Sequence, residues 1–333
     1  MSDSKTNIWA LVLAAGDGRR LQRLTTTRSG LAIPKQFCSL DRGPSLMQEA
    51  LERAAGITEH QRICTIVASQ HRQWWSAQLE AVAPDNVIVQ PGNRGTANGV
   101  LLPLLIILER DPRARVVLLP SDHHVRDERQ LARALRCAAA PPEGDPADIV
   151  LLGLEPRIAD AQLGYIVPRR EEGRVYQRVE RFVEKPDAAH AAALVYEGAL
   201  WNTFIIAADA SALLELYERR CPDIVSAMRG VIRGARCGPQ LDEGLEGLYR
   251  LLPELDFSRA ILERQEQRLR VLPVPECGWS DLGTPARVAE AVDALRRRGR
   301  AGNREARRTS FGQALLSLAA QHRQLQGAVS APQ

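Results

Sequence analysis

Leu13-Ala14-Ala15-Gly16-Asp17-Gly18-Arg19-Arg20-Leu21 follows directly on the apolar run 9–14, and this junction decides the fold. A buried strand that empties into small residues and two glycines lets backbone amides approach a phosphate chain without side-chain obstruction, so Ala15, Gly16 and Gly18 are candidate nucleotide contacts. A dinucleotide fingerprint requires a third glycine where Leu21 stands, and a Walker-type loop requires Gly-Lys-Ser/Thr; both fail. Two glycines would serve a tight turn equally well, so the loop gains meaning only from its surroundings.

Working outward, apolar runs at 63–68, 87–90, 116–119 and 149–152 read as further buried strands. Helix periodicity fills the gaps at 45–55, 70–83, 96–109 and 128–139, with Ser45 as an N-cap. This succession predicts an α/β fold, a mainly parallel mixed sheet flanked by helices in the Rossmann-like manner, with ligands beyond the carboxyl ends of the strands. After Gly153 the pattern becomes mixed. Strands are expected at 164–168, 174–184, 200–207 and 269–274, and helices at 187–196, 209–220, 224–233 and 257–264. A closing helix over 285–298, a flexible link at 299–303 and an amphipathic helix at 310–325 complete the reading. The chain thus divides into a body, residues 1–285, and a helical, arginine-rich extension, residues 286–333.

Composition excludes several classes. With 45% apolar and 25% charged residues the chain can bury an ordinary core. It contains no run long enough to span a membrane, and residues 1–7 are polar, so neither a membrane partner nor a secretory leader is expected and the predicted location is cytoplasmic. Six cysteines without paired spacing argue against disulfides and structural zinc. The net charge of +4 is misleading, because seven arginines against one glutamate fall between Arg296 and Arg308 and the body is slightly acidic. No nucleic-acid partner is expected, and a homo-oligomer is left open. Of the 44 basic residues only three are lysine: Lys5, Lys35 and Lys185. A compact ammonium fits confined phosphates where a planar guanidinium does not, which marks Lys35 and Lys185.

Four further segments place polar groups at strand ends: Gln90-Pro91-Gly92-Asn93-Arg94-Gly95-Thr96-Ala97, Leu119-Pro120-Ser121-Asp122-His123-His124, Leu200-Trp201-Asn202-Thr203-Phe204 and Gly278-Trp279-Ser280-Asp281-Leu282-Gly283-Thr284. Together with Pro34-Lys35-Gln36-Phe37 and Glu184-Lys185-Pro186, they occur in an order that resembles the sugar-1-phosphate nucleotidyltransferases. Pro-Lys-Gln-Phe, Asn-Arg-Gly-Thr-Ala and Pro-Ser-Asp-His bring the chain nearest to the mannose-1-phosphate guanylyltransferase subgroup. The resemblance covers residues 8–285, making 1–285 a nucleotidyltransferase catalytic domain.

The resemblance implies transfer of a nucleotidyl group from an NTP, GTP first, to a sugar 1-phosphate, mannose 1-phosphate first, with release of pyrophosphate. Asp122 and Asp281 would hold one Mg²⁺, a hard cation suited to carboxylates and phosphates. Arg20 would stabilise the leaving pyrophosphate and Lys35 the α-phosphate region. Lys185 would clamp the sugar phosphate, with Gly164, Glu184 and Asn202 on the sugar side, and Gln90, Arg94 and Thr96 would meet base and ribose. Plainer roles exist for each: Asp122 as a cap, Asp281 as a turn residue, Arg20 in a surface ion pair, Glu184-Lys185 as a solvated pair, and Asp256 as an N-cap although it matches an aspartate of guanylyltransferases. His123 and His124 are adjacent on an extended segment and point apart, so neither is taken as a ligand.

Departures from the family pattern are also legible. Arg23 stands where a proline is expected, and residues 25–33 form a longer stretch before Lys35. Gln162-Leu163-Gly164-Tyr165 lacks half of a Gly-Tyr-Gly-Tyr motif, Phe204 stands in place of a glycine, and Asn98 replaces a proline. Three alternatives follow: a glucose-1-phosphate thymidylyl- or uridylyltransferase, a catalytically idle nucleotide-sugar-binding homologue, and a glycosyltransferase, for which the Asp-x-Asp motif is missing around Asp122.

Overall fold

The computed structural model describes residues 7–27, 29–41, 43–140, 148–235 and 238–302. Nine strands form one sheet: β1 Ile8–Ala14, β2 Ile63–Ala68, β3 Val87–Gln90, β4 Arg115–Pro120, β5 Ile149–Leu154, β6 Gly164–Arg169, β7 Gln177–Glu184, β8 Leu200–Asp209 and β9 Arg270–Val274. Their order is β3-β2-β1-β4-β8-β5-β9-β7-β6. The first four are mutually parallel, with β1 central between β2 and β4. Such strands are covered on both faces and must be apolar throughout, and β1, β2 and β4 are almost wholly buried.

β8 then inserts antiparallel between β4 and β5. β9 is parallel to β5, whereas β7 and β6 complete the sheet in antiparallel fashion. β6 also pairs with the first residues of β8 through Tyr165 with Trp201, so the second half of the sheet closes on itself. That closure brings Gly164 on β6, Glu184 at the end of β7 and Asn202 on β8 to one place.

Most expected helices form with their signals intact. Ser45 caps the helix Leu46–Ala55 through a full capping box with Gln48, and Asp127 and Asp187 cap the helices Glu128–Ala139 and Ala188–Tyr196. Four expectations are corrected. Residues 70–83 do not make one helix. Trp75 donates its indole N–H to the carbonyl of Ala68 at the end of β2, 2.9 Å away, and the segment breaks into short turns around this contact. Residues 257–264 form only a π turn, Ser258–Leu262. The helix Pro239–Leu251 was not expected, because Gly244 and Gly247 lower its propensity. Gly244 is there for packing: a Cβ would lie 2.9 Å from Val231 Cγ1 on the neighbouring helix Pro222–Ala235. Finally, the helix Pro285–Gly302 takes in residues 299–302 of the expected link at 299–303, and its Val288, Ala291 and Val292 pack on Leu21, Leu24 and Leu46. The expected helix at 310–325 lies outside the described residues.

The five described cysteines are free, and burial pushes the thiols of Cys38 and Cys64 up to about 12, which makes them inert at neutral pH. No helix among the described residues is long and apolar enough to cross a membrane.

The capping box gives a direct test of local stability. Ser45→Ala removes the acceptor for Gln48 N–H and the hydroxyl's bond to Gln78, and should lower unfolding stability by about 1 kcal/mol in urea titrations.

Candidate active site

The site lies where β1 and β4 end. Ser121 on the segment after β4 donates its hydroxyl to the carbonyl of Leu13, 2.7 Å away, which locks the two strand ends together. The loop beyond β1 is held from below by Gln36, whose amide donates to the carbonyls of Ala14 (3.0 Å) and Gly16 (2.8 Å). Gly18 adopts φ +63°, and a Cβ there would lie 3.1 Å from the backbone nitrogen of Lys35. Glycine is thus required both by conformation and by close approach. In the longer stretch before Lys35, Thr26 is bridged to Ala32, which brings its two ends together ahead of Pro34.

Lys35 is buried. Its Nζ donates to the Asp281 carbonyl at 2.6 Å and lies 3.0 Å from Asp122 Oδ2. Burial pushes the Asp122 carboxyl up, but Lys35 and then His123 outweigh it and hold the group at about 2, ionised at neutral pH. His123 Nδ1 accepts a bond from the Trp279 indole at 3.3 Å, which leaves Nε2 to face Asp122 Oδ1 at 3.5 Å. His124 diverges towards Glu49, so the expectation that neighbouring histidines point apart holds.

Two adjoining lobes of one cleft open here. The first, about 330 Å³, is lined by Gly18, Arg19, Arg20, Lys35, Asn93 and Asp122. The second, about 290 Å³, shares Gly18, Arg20, Asn93 and Asp122 with it and continues past Ala15, Gly16, Gln90 and Thr96 to Glu184 and Lys185. Gln90 is fully buried, and its Oε1 has no partner in the protein. Lys185 reaches Glu184 at 2.6 Å and lies 3.9 Å from Asp256 Oδ2. Burial pushes the Glu184 carboxyl up, against the pull of Lys185. Gly164 and Asn202 stand immediately behind Glu184: a Cβ at Gly164 would meet Glu184 Oε2 at 2.4 Å and Asn202 Cβ at 3.3 Å.

Gly164 and Asn202 thus back the cleft wall without lining it, and two further expected residues stand apart from the cleft. Arg94 points away from it and donates to the carbonyls of Tyr249 (2.6 Å) and Arg250 (3.4 Å), capping the unexpected helix Pro239–Leu251. Thr96 lines the second lobe, yet its hydroxyl already accepts the Phe257 N–H at 2.8 Å. Asn98 works with them, donating to the carbonyls of Arg94 and Pro253. This clamp carries Glu254 and Asp256 into the cleft. Asp256 also accepts the Arg259 N–H, so its capping role and its place beside Lys185 are both real. Asp281 is the second exception. Its carboxylate accepts from Gly283 N at 3.0 Å and from Arg287, and lines a separate cavity with Trp201, Trp279 and Asp160. Burial pushes its carboxyl up while Arg287 pulls it down, and the net direction is down.

Sequence reasoning missed Asn93, which touches both lobes, and Phe204. Phe204 has φ +59° and its ring meets Phe257 edge-on at 5.5 Å. The glycine expected in its place was the signal: the backbone there is left-handed.

A family model described as nucleotidyl transferase matches residues 9–298. The chain belongs to the nucleotidyl transferase family. Among its relatives, the mannose-1-phosphate guanylyltransferase of Escherichia coli (strain K12) is 28% identical over 290 residues, covering 84% of this chain and 59% of that protein. The xanthan biosynthesis protein XanB of Xanthomonas campestris pv. campestris (strain B100) is also 28% identical, covering 84% and 58%. A crystal structure from Thermus thermophilus, described as a mannose-1-phosphate geranyltransferase, superimposes with a TM-score of 0.73 at 28% identity, over 87% of this chain and 80% of that one. The chain spans about three-fifths of the length of the curated relatives it matches.

The clamp is testable. Gly95 has φ +83°, and a Cβ would fall 2.2 Å from the Leu255 carbonyl, so Gly95→Ala should destabilise the fold by at least about 2 kcal/mol. Arg94→Gln should lower the melting temperature while leaving the KM for nucleoside triphosphate unchanged; a large KM effect would return Arg94 to the base site.

Proposed function

We propose that this chain transfers a nucleotidyl group from GTP to mannose 1-phosphate, forming a nucleotide sugar and releasing pyrophosphate. The observation that carries the reading is the single cleft with buried Lys35 paired to Asp122 at one end and the Glu184–Lys185 pair at the other, joined through Arg20. Two phosphate-bearing substrates placed at those ends would meet at the shared wall.

In the reaction, a phosphate oxygen of the sugar 1-phosphate attacks the α-phosphorus of the triphosphate, and the bond from that phosphorus to the bridging oxygen of the β-phosphate breaks. The nucleophile is already an anion, so no covalent enzyme intermediate is required and the protein's work is positioning and charge stabilisation. Lys35 has its position over-determined by two acceptors and presents a compact charge. Arg20, which lines both lobes, is the charge that stabilises the departing pyrophosphate in this reading. Lys185 holds the sugar phosphate, and Glu184, backed by Gly164 and Asn202, accepts from sugar hydroxyls. Gln90 Oε1, buried and unpartnered, takes an N–H from the base, since such an acceptor costs stability until a ligand fills it. The guanine and mannose preferences rest on the relatives' names and on the Asn93–Ala97 and Pro120–His123 segments.

Mg²⁺ belongs to this reading. Asp122 fits it, being ionised and two-fifths exposed beside the cleft. Asp281 as held does not fit, because Arg287 and Gly283 occupy its carboxylate.

Pyrophosphate release, assayed over a matrix of nucleotides and sugar phosphates, tests the assignment. GTP with mannose 1-phosphate should be best, and a preference of about tenfold for thymidine or uridine triphosphate, or about 1.4 kcal/mol, would overturn the guanylyl reading. Lys35→Arg should cut kcat on the order of a hundredfold, because the charge is kept but misplaced by about 1 Å. Lys185→Arg should chiefly raise the sugar-phosphate KM, and Lys5→Arg serves as the control. Wild-type kinetics in both motif variants would favour a binding protein that does not catalyse.

A further inference from the structure

β8 does not run evenly against β5. Leu151 pairs with Ile206 and Gly153 with Asn202, so a step of two residues on β5 is matched by a step of four on β8, and residues 203–205 form a bulge opposite Leu152. The bulge is held by its own side chains. Asn202 Oδ1 accepts the Phe204 N–H at 3.0 Å, and the Thr203 hydroxyl donates to the Leu152 carbonyl at 2.7 Å while accepting the Ile205 N–H at 3.2 Å. Phe204 sits at its crest with φ +59°, a left-handed conformation in which a residue with a Cβ is strained. A bulge of this kind re-aims one side chain, and here it turns Phe204 into the second lobe of the cleft, which the ring lines together with Glu184, Lys185 and Asp256. The ring cannot withdraw, because it meets Phe257 edge-on at 5.5 Å and Phe257 is itself fully buried against Tyr217.

We propose that Phe204 is a specificity-determining residue of the sugar-phosphate end: its ring is a fixed apolar wall that admits a hexose 1-phosphate with a free hydroxyl at C2 and rejects one that carries an acylamino group there. C2 adjoins the carbon that bears the phosphate, so with the phosphate at Lys185 the C2 substituent stays at the end of the lobe that Phe204 lines. A hydroxyl is small and can turn to the carboxylate of Glu184 or Asp256. An acylamino group is several atoms larger and brings an amide N–H and a carbonyl, for which a hydrocarbon ring offers no partner. Asn202 Oδ1 offers none either, since the Phe204 N–H already occupies it. Size and lost hydrogen bonds therefore act in the same direction.

This inference rests on the nucleotidyl-transfer reading for the placing of a sugar phosphate at Lys185. Calorimetric titration of the full-length protein with mannose and glucose 1-phosphates, each against its 2-acetamido-2-deoxy counterpart, tests it without turnover. Each pair differs only at C2, so the ratio within a pair reads the wall and the choice between pairs reads the sugar. The wild type should bind the acetamido member at least about tenfold more weakly. Phe204→Gly, which suits the left-handed backbone and removes the ring, should bring the two members within about twofold of each other, and Phe204→Ala, which keeps the strain, should do the same. GTP affinity should stay within about twofold in both variants. A wild type that binds both members of a pair alike overturns the proposal, as does a ratio that survives in both variants. So does a loss of GTP affinity as large as the change in the ratio, which would place the ring at the nucleotide end. Should Phe204→Gly fail to fold, Phe204→Ala and the wild-type ratio decide. Preference for glucose over mannose, or turnover with another base, would refute the substrate assignment and leave the within-pair result standing; a wild type that binds none of the four sugar phosphates overturns both.

Discussion

A buried ammonium needs acceptors in place of the water it has lost, and the Nζ of Lys35 finds them in two directions. Asp122 supplies a carboxylate at 3.0 Å from the end of β4, and Asp281 supplies a backbone carbonyl at 2.6 Å from near the end of the described body. The lysine itself sits on the 3₁₀ turn Lys35–Phe37, where Gln36 ties down the loop after β1. Three segments distant in sequence are therefore pinned at one atom. The parallel core strands matter to function because they deliver these segments to the same sheet edge.

How much of this could be read from the chain depends on whether the deciding contact was local. β2 was legible to the residue, because a strand covered on both faces must be continuously apolar and has few alternatives, and the short apolar run of the half-buried edge strand β3 was read to the same precision. The Ser45 cap was equally local; Asp127 and Asp187, which were not expected as caps, act just as locally. Trp75 shows the opposite case. Its bond to Ala68 crosses from one element to another, and no periodicity within 70–83 encodes it. Arg94 went astray for the same reason: its motif neighbours line the cleft, but the guanidinium is claimed by a helix that two glycines had hidden. The cleft residues Arg20, Lys35, Asp122, Glu184 and Lys185 came from motifs, whereas the turning of Asp281 towards Arg287 depends on the first turn of a later helix.

Backbone strain marks the site independently. Lys185, Phe204 and Leu282 all have positive φ, and each lines the cleft. Such conformations cost on the order of 1 kcal/mol or more in residues with a Cβ and persist where surrounding contacts over-determine them. For Phe204 the contact is the Phe257 ring, for Leu282 it is full burial beside Leu21, and for Lys185 it is the pair with Glu184. Three strained positions from three separate segments converge on the one cavity where the charges also converge.

The charges themselves are matched almost one to one. Arg19 meets Asp17, Lys35 meets Asp122, Lys185 meets Glu184 and Arg287 meets Asp160 and Asp281. An anion entering the cleft must take Arg19, Lys35 or Lys185 from its partner, so part of its binding energy is spent on exchange rather than on new attraction. Arg20 differs, for its guanidinium is held at 3.1 Å by the neutral amide of Gln162. That bond fixes direction without cancelling charge. Gln162 is one of the positions at which the chain departs from its family's pattern, and Asp160, two residues earlier, is the acid that shares Arg287. The short segment leading into β6 therefore touches both Arg20, on the wall that the two lobes share, and the arginine that holds Asp281. β6 itself begins at Gly164, directly behind Glu184, so the same segment also backs the far end of the cleft.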